Sequence, residues 1–255
     1  MERLESPNDG TDIRADTIMT AFCPQARTKL TAIKALFNDF SLSLPQSIAS
    51  KDLSSVRVLK TKLESSIKEL KLLRYQEQLT SWSTFYQEVF KLDIDLSNLH
   101  IPEHRDGFDR LIIMAPNLTP LAVYKKMQEL FTASSSYTDS GISQITLDST
   151  RPQGTYALWV KDSIEPDQDL LNKSANDIKN MEIDVESFEE RCIHEIKYFK
   201  ETNKHLDING WTICAASRFA YGGVPRVYWF DVKVSVDSFS PDNSNDNGGV
   251  RAAVL

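Results

Sequence analysis

The chain has 255 residues and a mass of 28.9 kDa, room for one large or two modest domains. Hydrophobic residues make up 41% of it and charged residues 25%, a globular balance that excludes a disordered or fibrous chain. A formal net charge of -7 and a pI near 5.2 exclude the clustered Lys and Arg of a nucleic-acid interface.

No window approaches the roughly 18 consecutive apolar residues of a membrane span. The opening residues, MERLESPNDGTDIRAD, lack the apolar core of a signal peptide. The expectation is therefore no membrane span and a cytoplasmic protein by default, unless export uses another route. Cys23, Cys192 and Cys214 are odd in number and far apart, which argues against a disulfide framework or a CxxC metal site. They read as buried thiols. His100, His104, His194 and His205 show no ligand spacing, and no metal or cofactor is expected.

Residues 1–16 read as a disordered leader and 17–100 as a helical region. From Pro24, suited to a first helical turn, Leu30, Ile33, Phe37 and Phe40 recur at helical spacing. Leu42–Ser50, with Pro45 and several serines, reads as a connector. Asp52 can cap a helix over about 53–90, whose stripe is Val56, Leu59, Leu63, Ile67, Leu70, Leu73, Leu79, Trp82, Phe85 and Phe90. Such a helix is about 55 Å long, which favours pairing with the first helix or with another copy of the chain. A helical hairpin or bundle is expected, and an oligomerising coiled coil is the sharper form of that reading.

Residues 101–150 read as a small α/β module. Phe108–Ala115 is a short apolar run suited to a buried strand. Thr119-Pro120 supplies an N-cap and a first-turn Pro for a helix carrying Leu121, Tyr124, Met127, Leu130 and Phe131. The module holds no phosphate-binding loop, no GxSxG and no nucleophile–base pair at informative spacing.

In 151–255 the order of elements becomes informative. Tyr156–Lys161 is a strand of aromatic and branched residues, Ser174-Ala-Asn starts a short helix, and Glu186–Lys204 is a strongly amphipathic one. Four short strands follow: Trp211–Ala216, Val224–Phe230, Val232–Phe239 and Val250–Val254. Alternation turns Val227, Trp229, Val232, Val234 and Val236 inward, and Arg226, Tyr228, Phe230, Lys233, Ser235 and Asp237 outward. Reversing the faces would bury an Arg and expose valines, so the register is well determined.

Strand, helix, helix and four strands resemble the C-type lectin fold, in which first and last strands pair; Val250–Val254 would then zip against Tyr156–Lys161. The whole is thus α+β: an N-terminal helical hairpin or bundle, a small mixed module and a C-type-lectin-like domain. From Phe108 onward the chain also resembles a group of uncharacterised bacterial proteins. The resemblance rests on Tyr156-Ala-Leu-Trp159, Ser174-Ala-Asn176, the run His194–Ile208, Trp211-Thr-Ile-Cys214, Ser217-Arg218, Val224-Pro225, Trp229 and Arg251-Ala252.

Scattered Asn, Tyr, Ser, Asp and Phe near the end of a lectin-like domain are similar to the variable proteins of diversity-generating retroelements. That resemblance implies adenine-directed rewriting of outward codons over a tolerant scaffold. It names Phe219, Tyr221, Arg226, Tyr228, Phe230, Lys233, Ser235, Asp237, Phe239, Asp242, Asn243, Ser244 and Asn245 as the ligand-binding set. Exposed Tyr and Phe among short polar groups are the composition of evolved binding surfaces. Tyr221, Tyr228 and Phe230 would anchor a ligand, with Arg226, Lys233 and Asp237 setting charge selectivity.

The calcium motifs of sugar-binding lectins are not in place. Glu165-Pro-Asp167 precedes the helices, and Asp242-x-Ser244-x-Asp246 lacks the Gly and Glu of a calcium loop. The expected protein is a non-enzymatic one that binds a protein or other macromolecule through its C-terminal face, and that forms a homo-oligomer if its N-terminal helices associate. The alternatives are an enzyme or nucleotide-handling protein with a site in the 105–131 module, or a helical assembly protein.

Overall fold

The computed structural model of the chain describes residues 24–50 and 53–255. The expected leader, Cys23 and the expected cap Asp52 lie outside the described residues. The chain divides into two compact units, Met1–Ser81 and Trp82–Leu255. Helices and sheets both contribute, so the protein is α+β. Among the described residues no helix is long and apolar enough to cross a membrane.

The first unit is helical. It contains α1 (Pro24–Ser50) and most of α2 (Ser54–Phe85), whose residues from Trp82 belong to the second unit. A salt bridge between Lys29 and Glu69 joins the two helices. The connector expected over Leu42–Ser50 is helical instead, and α1 runs through Pro45. The reason is local: Ser43 Oγ donates to the Phe40 carbonyl at 3.1 Å, a back-bond that lets a serine sit inside a helix. An interior proline costs one backbone bond and bends a helix without having to end it. Phe37, Leu42 and Val58 remain exposed on these helices.

The second unit begins where α2 passes into a π turn, Tyr86–Phe90, stopped by Lys91 in the left-handed region. Trp82, Phe85, Tyr86 and Phe90 pack ring against ring, and the Lys197 ammonium lies 5.0 Å from the Trp82 ring centre. Tyr86 Oη donates to the Ile113 carbonyl and accepts from the Ala115 amide, pinning the end of the next strand.

Ten strands follow: β1 (Arg110–Met114), β2 (Ala133–Ser135), β3 (Thr146–Leu147), β4 (Tyr156–Val160), β5 (Trp211–Ile213), β6 (Ser217–Arg218), β7 (Val224–Phe230), β8 (Lys233–Phe239), β9 (Gly248–Gly249) and β10 (Ala253–Val254). Between them lie α3 (Pro120–Leu130), α4 (Asp139–Ser143), α5 (Ala175–Asn180) and α6 (Phe188–Thr202). Side-chain caps start these helices as their sequences require: Thr119 accepts from the Ala122 amide, and Ser174-x-x-Asp177 and Ser187-x-x-Glu190 form capping boxes.

The strands make sheets of order β1-β4-β10, β2-β8-β7-β5-β9 and β3-β6. Each sheet contains one strand from 101–150 and at least one from the C-terminal hundred residues. The boundary expected after residue 150 is therefore no boundary in the structure. A short strand buries too little alone and is completed by distant partners. The terminal run pairs antiparallel with the strand at Tyr156, as Ala253 with Val160 and Val254 with Trp159. The ladder spans two residues rather than the five expected, because Arg251 is drawn into the interior just before it.

Candidate functional site

Residues of α6 and of the strands beside it build a buried ionic network, the framework of the C-terminal hairpin. Arg191 donates Nε and Nη2 to Asp207 Oδ2, and Nη1 to Glu195 Oε2. Arg251 donates to Asp207 Oδ1 at 2.6 Å, to Thr212 Oγ1, and to the carbonyls of Ser163 and Ile164. Thr212 Oγ1 in turn donates to Asp207 Oδ2. All of these groups but Ser163 and Ile164 are buried. Burial would push the Asp207 carboxyl up, but Arg191 and Arg251 outweigh it and hold it below its ordinary value. Burial would likewise depress Arg191, yet Asp207 and Glu195 hold it well above. A buried pair of this kind is costly to break at one end, by about 3–5 kcal/mol.

The network reaches the hairpin through His205. Its Nδ1 lies 2.8 Å from Glu195 Oε1, and its ring stacks on Trp229 at 3.8 Å between centres. The Trp229 amide donates to the Asp207 carbonyl at 3.0 Å. Trp229, Val227, Val234 and Val236 thus line the inner face of the β7–β8 hairpin, as alternation predicts. Pairing is regular: Arg226 opposite Asp237, Tyr228 opposite Ser235, Phe230 opposite Lys233.

Those six residues lie on the outer face. Arg226 grips Asp237 with two hydrogen bonds, and Tyr228 Oη donates to Asp237 Oδ2 at 3.1 Å. The Arg226 guanidinium lies over three rings: Trp211 at 5.1 Å, Tyr228 at 5.3 Å and Phe239 at 5.4 Å. Its hydrogen bonds to Asp237 hold it above its ordinary value, so the guanidinium stays charged. Arg226 and Asp237 thus pair with each other, and among the described residues of this face Lys233 is a cation with no ion pair. Beyond the pair, Phe230 stands 64% exposed.

A shallow cleft of 300 Å³ runs beside Tyr228 and Phe230, walled by Ile208, Asn209, Gly210 and Trp211. Glu165 fixes this wall by accepting from the backbone and side-chain nitrogens of Asn209. Gly248 is needed beneath it, since a Cβ there would run into the Trp211 indole nitrogen. Sequence reasoning placed Trp211 at the start of a strand and left Leu206–Gly210 out of the ligand-binding set. Their approach to Tyr228 depends on β5 pairing with β7, fifteen or so residues away, which no local pattern announces.

Several expected site residues stand elsewhere. Phe219 is 3% exposed, its ring packed against those of Tyr137 and Tyr221, so its expected outward role fails: the Phe219 amide donates to the Gly223 carbonyl and the turn holds the ring against the body. Tyr221 is exposed, but its hydroxyl bonds to that of Tyr137 at 2.5 Å, away from the residues lining the cleft. Ser235 has the outward register yet is buried, squeezed between Tyr228 and Ser134 of β2. Phe239 packs on the apolar cluster of Ile213, Val224 and Val250. Asp242, Asn243, Ser244 and Asn245 are exposed in the loop before β9, with Asp242 accepting from Asn176 and Asn245 from the Asn247 amide.

Val232 was expected inward and is 77% exposed. With Asp231 it forms the two-residue hairpin turn, both at positive φ, and β8 starts only at Lys233. Among the described residues no group of three His, Cys, Asp or Glu side chains is arranged to hold a metal. No known family pattern, no curated protein and no solved structure matches the chain.

Proposed function

We propose that this is a recognition protein, in which a C-type-lectin-like body presents the outer face of the β7–β8 hairpin to a protein or other macromolecular ligand. We further infer that it belongs with the variable proteins of diversity-generating retroelements. One observation carries the reading: the hairpin divides into an inner face locked to a buried ionic framework and an outer face whose side chains bond mostly to one another. Asp207, Thr212 and Arg251, all within the quoted motifs, belong to the framework. Tyr228, Phe230 and Lys233 lie outside those motifs and on the outer face. The antiparallel pairing of β10 with β4 supports the lectin-like reading, since that fold joins its first and last strands.

Aromatic anchors on a stiff hairpin bind at low entropic cost, because two χ angles are lost per ring and the backbone is already ordered. The cleft beside Phe230 suits an apolar side chain of the partner, with the Asn209 amide in its wall and Lys233 paired opposite Phe230 on the hairpin. The N-terminal helices, with Phe37, Leu42 and Val58 uncovered, would space such heads or join them into an oligomer, multiplying weak single-site binding.

The test is the double variant Y228A/F230A on an array of immobilised proteins. Removing the Tyr228 hydroxyl bond and its ring contact with Trp211 should cost about 1 kcal/mol, a fall of a few degrees in melting temperature. Partners retained by the wild-type chain should be lost from this folded variant. Undiminished retention, or a collapse in melting temperature, contradicts the assignment of these rings to a binding face.

A further inference from the structure

Away from the hairpin lies the larger concavity of 590 Å³, in the size range of small-molecule sites. It opens between the turn after β1, the loop before β4 and the first turn of α6, where Glu189 forms part of its wall. None of the hairpin's residues line it, so it stands independently of the proposed recognition face.

Two adjacent carboxylates differ here. Glu190 is fully satisfied: Oε1 accepts from Arg151 Nε and Tyr156 Oη, and Oε2 from Arg151 Nη2 and the Ser187 amide. Arg151 spends its remaining donors on Ser149 Oγ and the carbonyls of Thr150 and Val185. Glu189 has no such complement. Its Oε2 is closed off from solvent and meets no hydrogen-bond donor, the one such side-chain atom among the described residues lining the cleft. The nearby guanidinium of Arg151 is committed to Glu190, with Asp184 beside it at 3.7 Å, and pairs with no oxygen of Glu189. A buried acceptor left unmet is destabilising, and a charged one more so.

We propose that this cleft is a second binding site, for a ligand that brings an ammonium or guanidinium group to the Glu189 carboxylate. The rest of the lining suits the stem of such a ligand: Met114, Pro116, Leu118 and Pro152 are apolar, and Gln153 adds an amide. The same chemistry is carried by a free alkyl amine and by a Lys or Arg side chain of a peptide. Burial pushes Glu189 up to about 7, opposed by its own backbone amide and by Arg151 while Glu190 adds to the rise; Tyr156 and Cys192 are the other titratable groups that sense its charge. A cation should therefore bind more tightly above neutral pH, where the carboxylate is ionised.

The experiment is isothermal titration of the full chain with agmatine, putrescine and the tripeptide Ala-Lys-Ala, at pH 8 and pH 6. Saturable binding is expected to weaken about tenfold from pH 8 to pH 6 as Glu189 takes up its proton. Glu189→Gln, of the same shape without the charge, should weaken it by about tenfold or more at pH 8. Tighter binding of the two small amines assigns the site to a free amine, and tighter binding of the tripeptide assigns it to a peptide side chain. Absence of saturable binding by all three probes overturns the proposal. So does an affinity that is equal in Glu189→Gln, or equal at the two pH values in the wild-type chain.

Discussion

Glu186 and His194 lie side by side in the core with nothing else to answer them. Their facing atoms are 2.9 Å apart, and Glu186 Oε2 and His194 Nε2 have no partner. Burial pushes Glu186 up to about 8 against the pull of Arg251 and Arg191, while Glu190 and Asp207 add to the rise. Burial also drives His194 well below its ordinary value, helped by Arg110, Arg251 and Arg191. At neutral pH both groups are therefore uncharged, and a single hydrogen bond joins Glu186 Oε1 and His194 Nδ1. For Glu186 the folded value lies above the unfolded one near 4.5. Its contribution to stability is then full below about 4.5 and is lost as pH rises through about 8. His194 has the opposite sign, its contribution lost as pH falls below about 6.5. Glu186→Gln should accordingly flatten the decline of the urea midpoint between pH 5 and pH 8. Equal slopes in variant and wild type would contradict the protonation pattern.

At the scale of elements, the hairpin shows what alternation reveals and what it does not. Period two identified the inner Val227, Val234 and Val236 and the outer Arg226, Tyr228 and Phe230, because one face had to be buried. It failed at Val232, since a β-branched residue at φ 57 looks in sequence like one more strand residue. Val232→Gly relieves that conformation and should raise stability by about 1 kcal/mol in urea unfolding, with the β7–β8 pairing intact. A loss of stability would mean that the Val232 side chain has a partner on which the hairpin depends. The same limit explains α1: Pro45 and its serines looked like a break, but whether a helix continues past them is decided by back-bonding and by α2 beside it. The strands of 101–150 also hid their partners, since β1, β2 and β3 pair with strands about 50 to 100 residues further on.

For the whole molecule, composition gave an acidic globular chain and the order of elements an α+β one, while the polar interior stayed out of sight. No local pattern announces the pairing of Arg191, Asp207 and Arg251, because their attractions run across 16 and 44 residues of sequence. Only the assembled sheet brings them together. Once assembled, they hold the inner face of the hairpin: Trp229 stacks on His205, His205 meets Glu195, and Glu195 accepts from Arg191. Phe219 and Phe239 show the limit of the expected set, since both are turned into packing that substitution would disrupt. The outer positions of the hairpin are Arg226, Tyr228, Phe230, Lys233 and Asp237, and Asp242, Asn243, Ser244 and Asn245 are exposed in the following loop.

The most direct measurement is the sequence of this gene and its flanks from many independent isolates. Substitutions should concentrate at the outer codons, at adenines of a neighbouring near-copy of the gene's 3′ end, beside a reverse transcriptase gene. Codons for Asp207, Thr212, Val227, Trp229 and Arg251 should stay fixed. Changes spread evenly over inner and outer positions, with no such copy alongside, would contradict the account of the hairpin as a diversified recognition face.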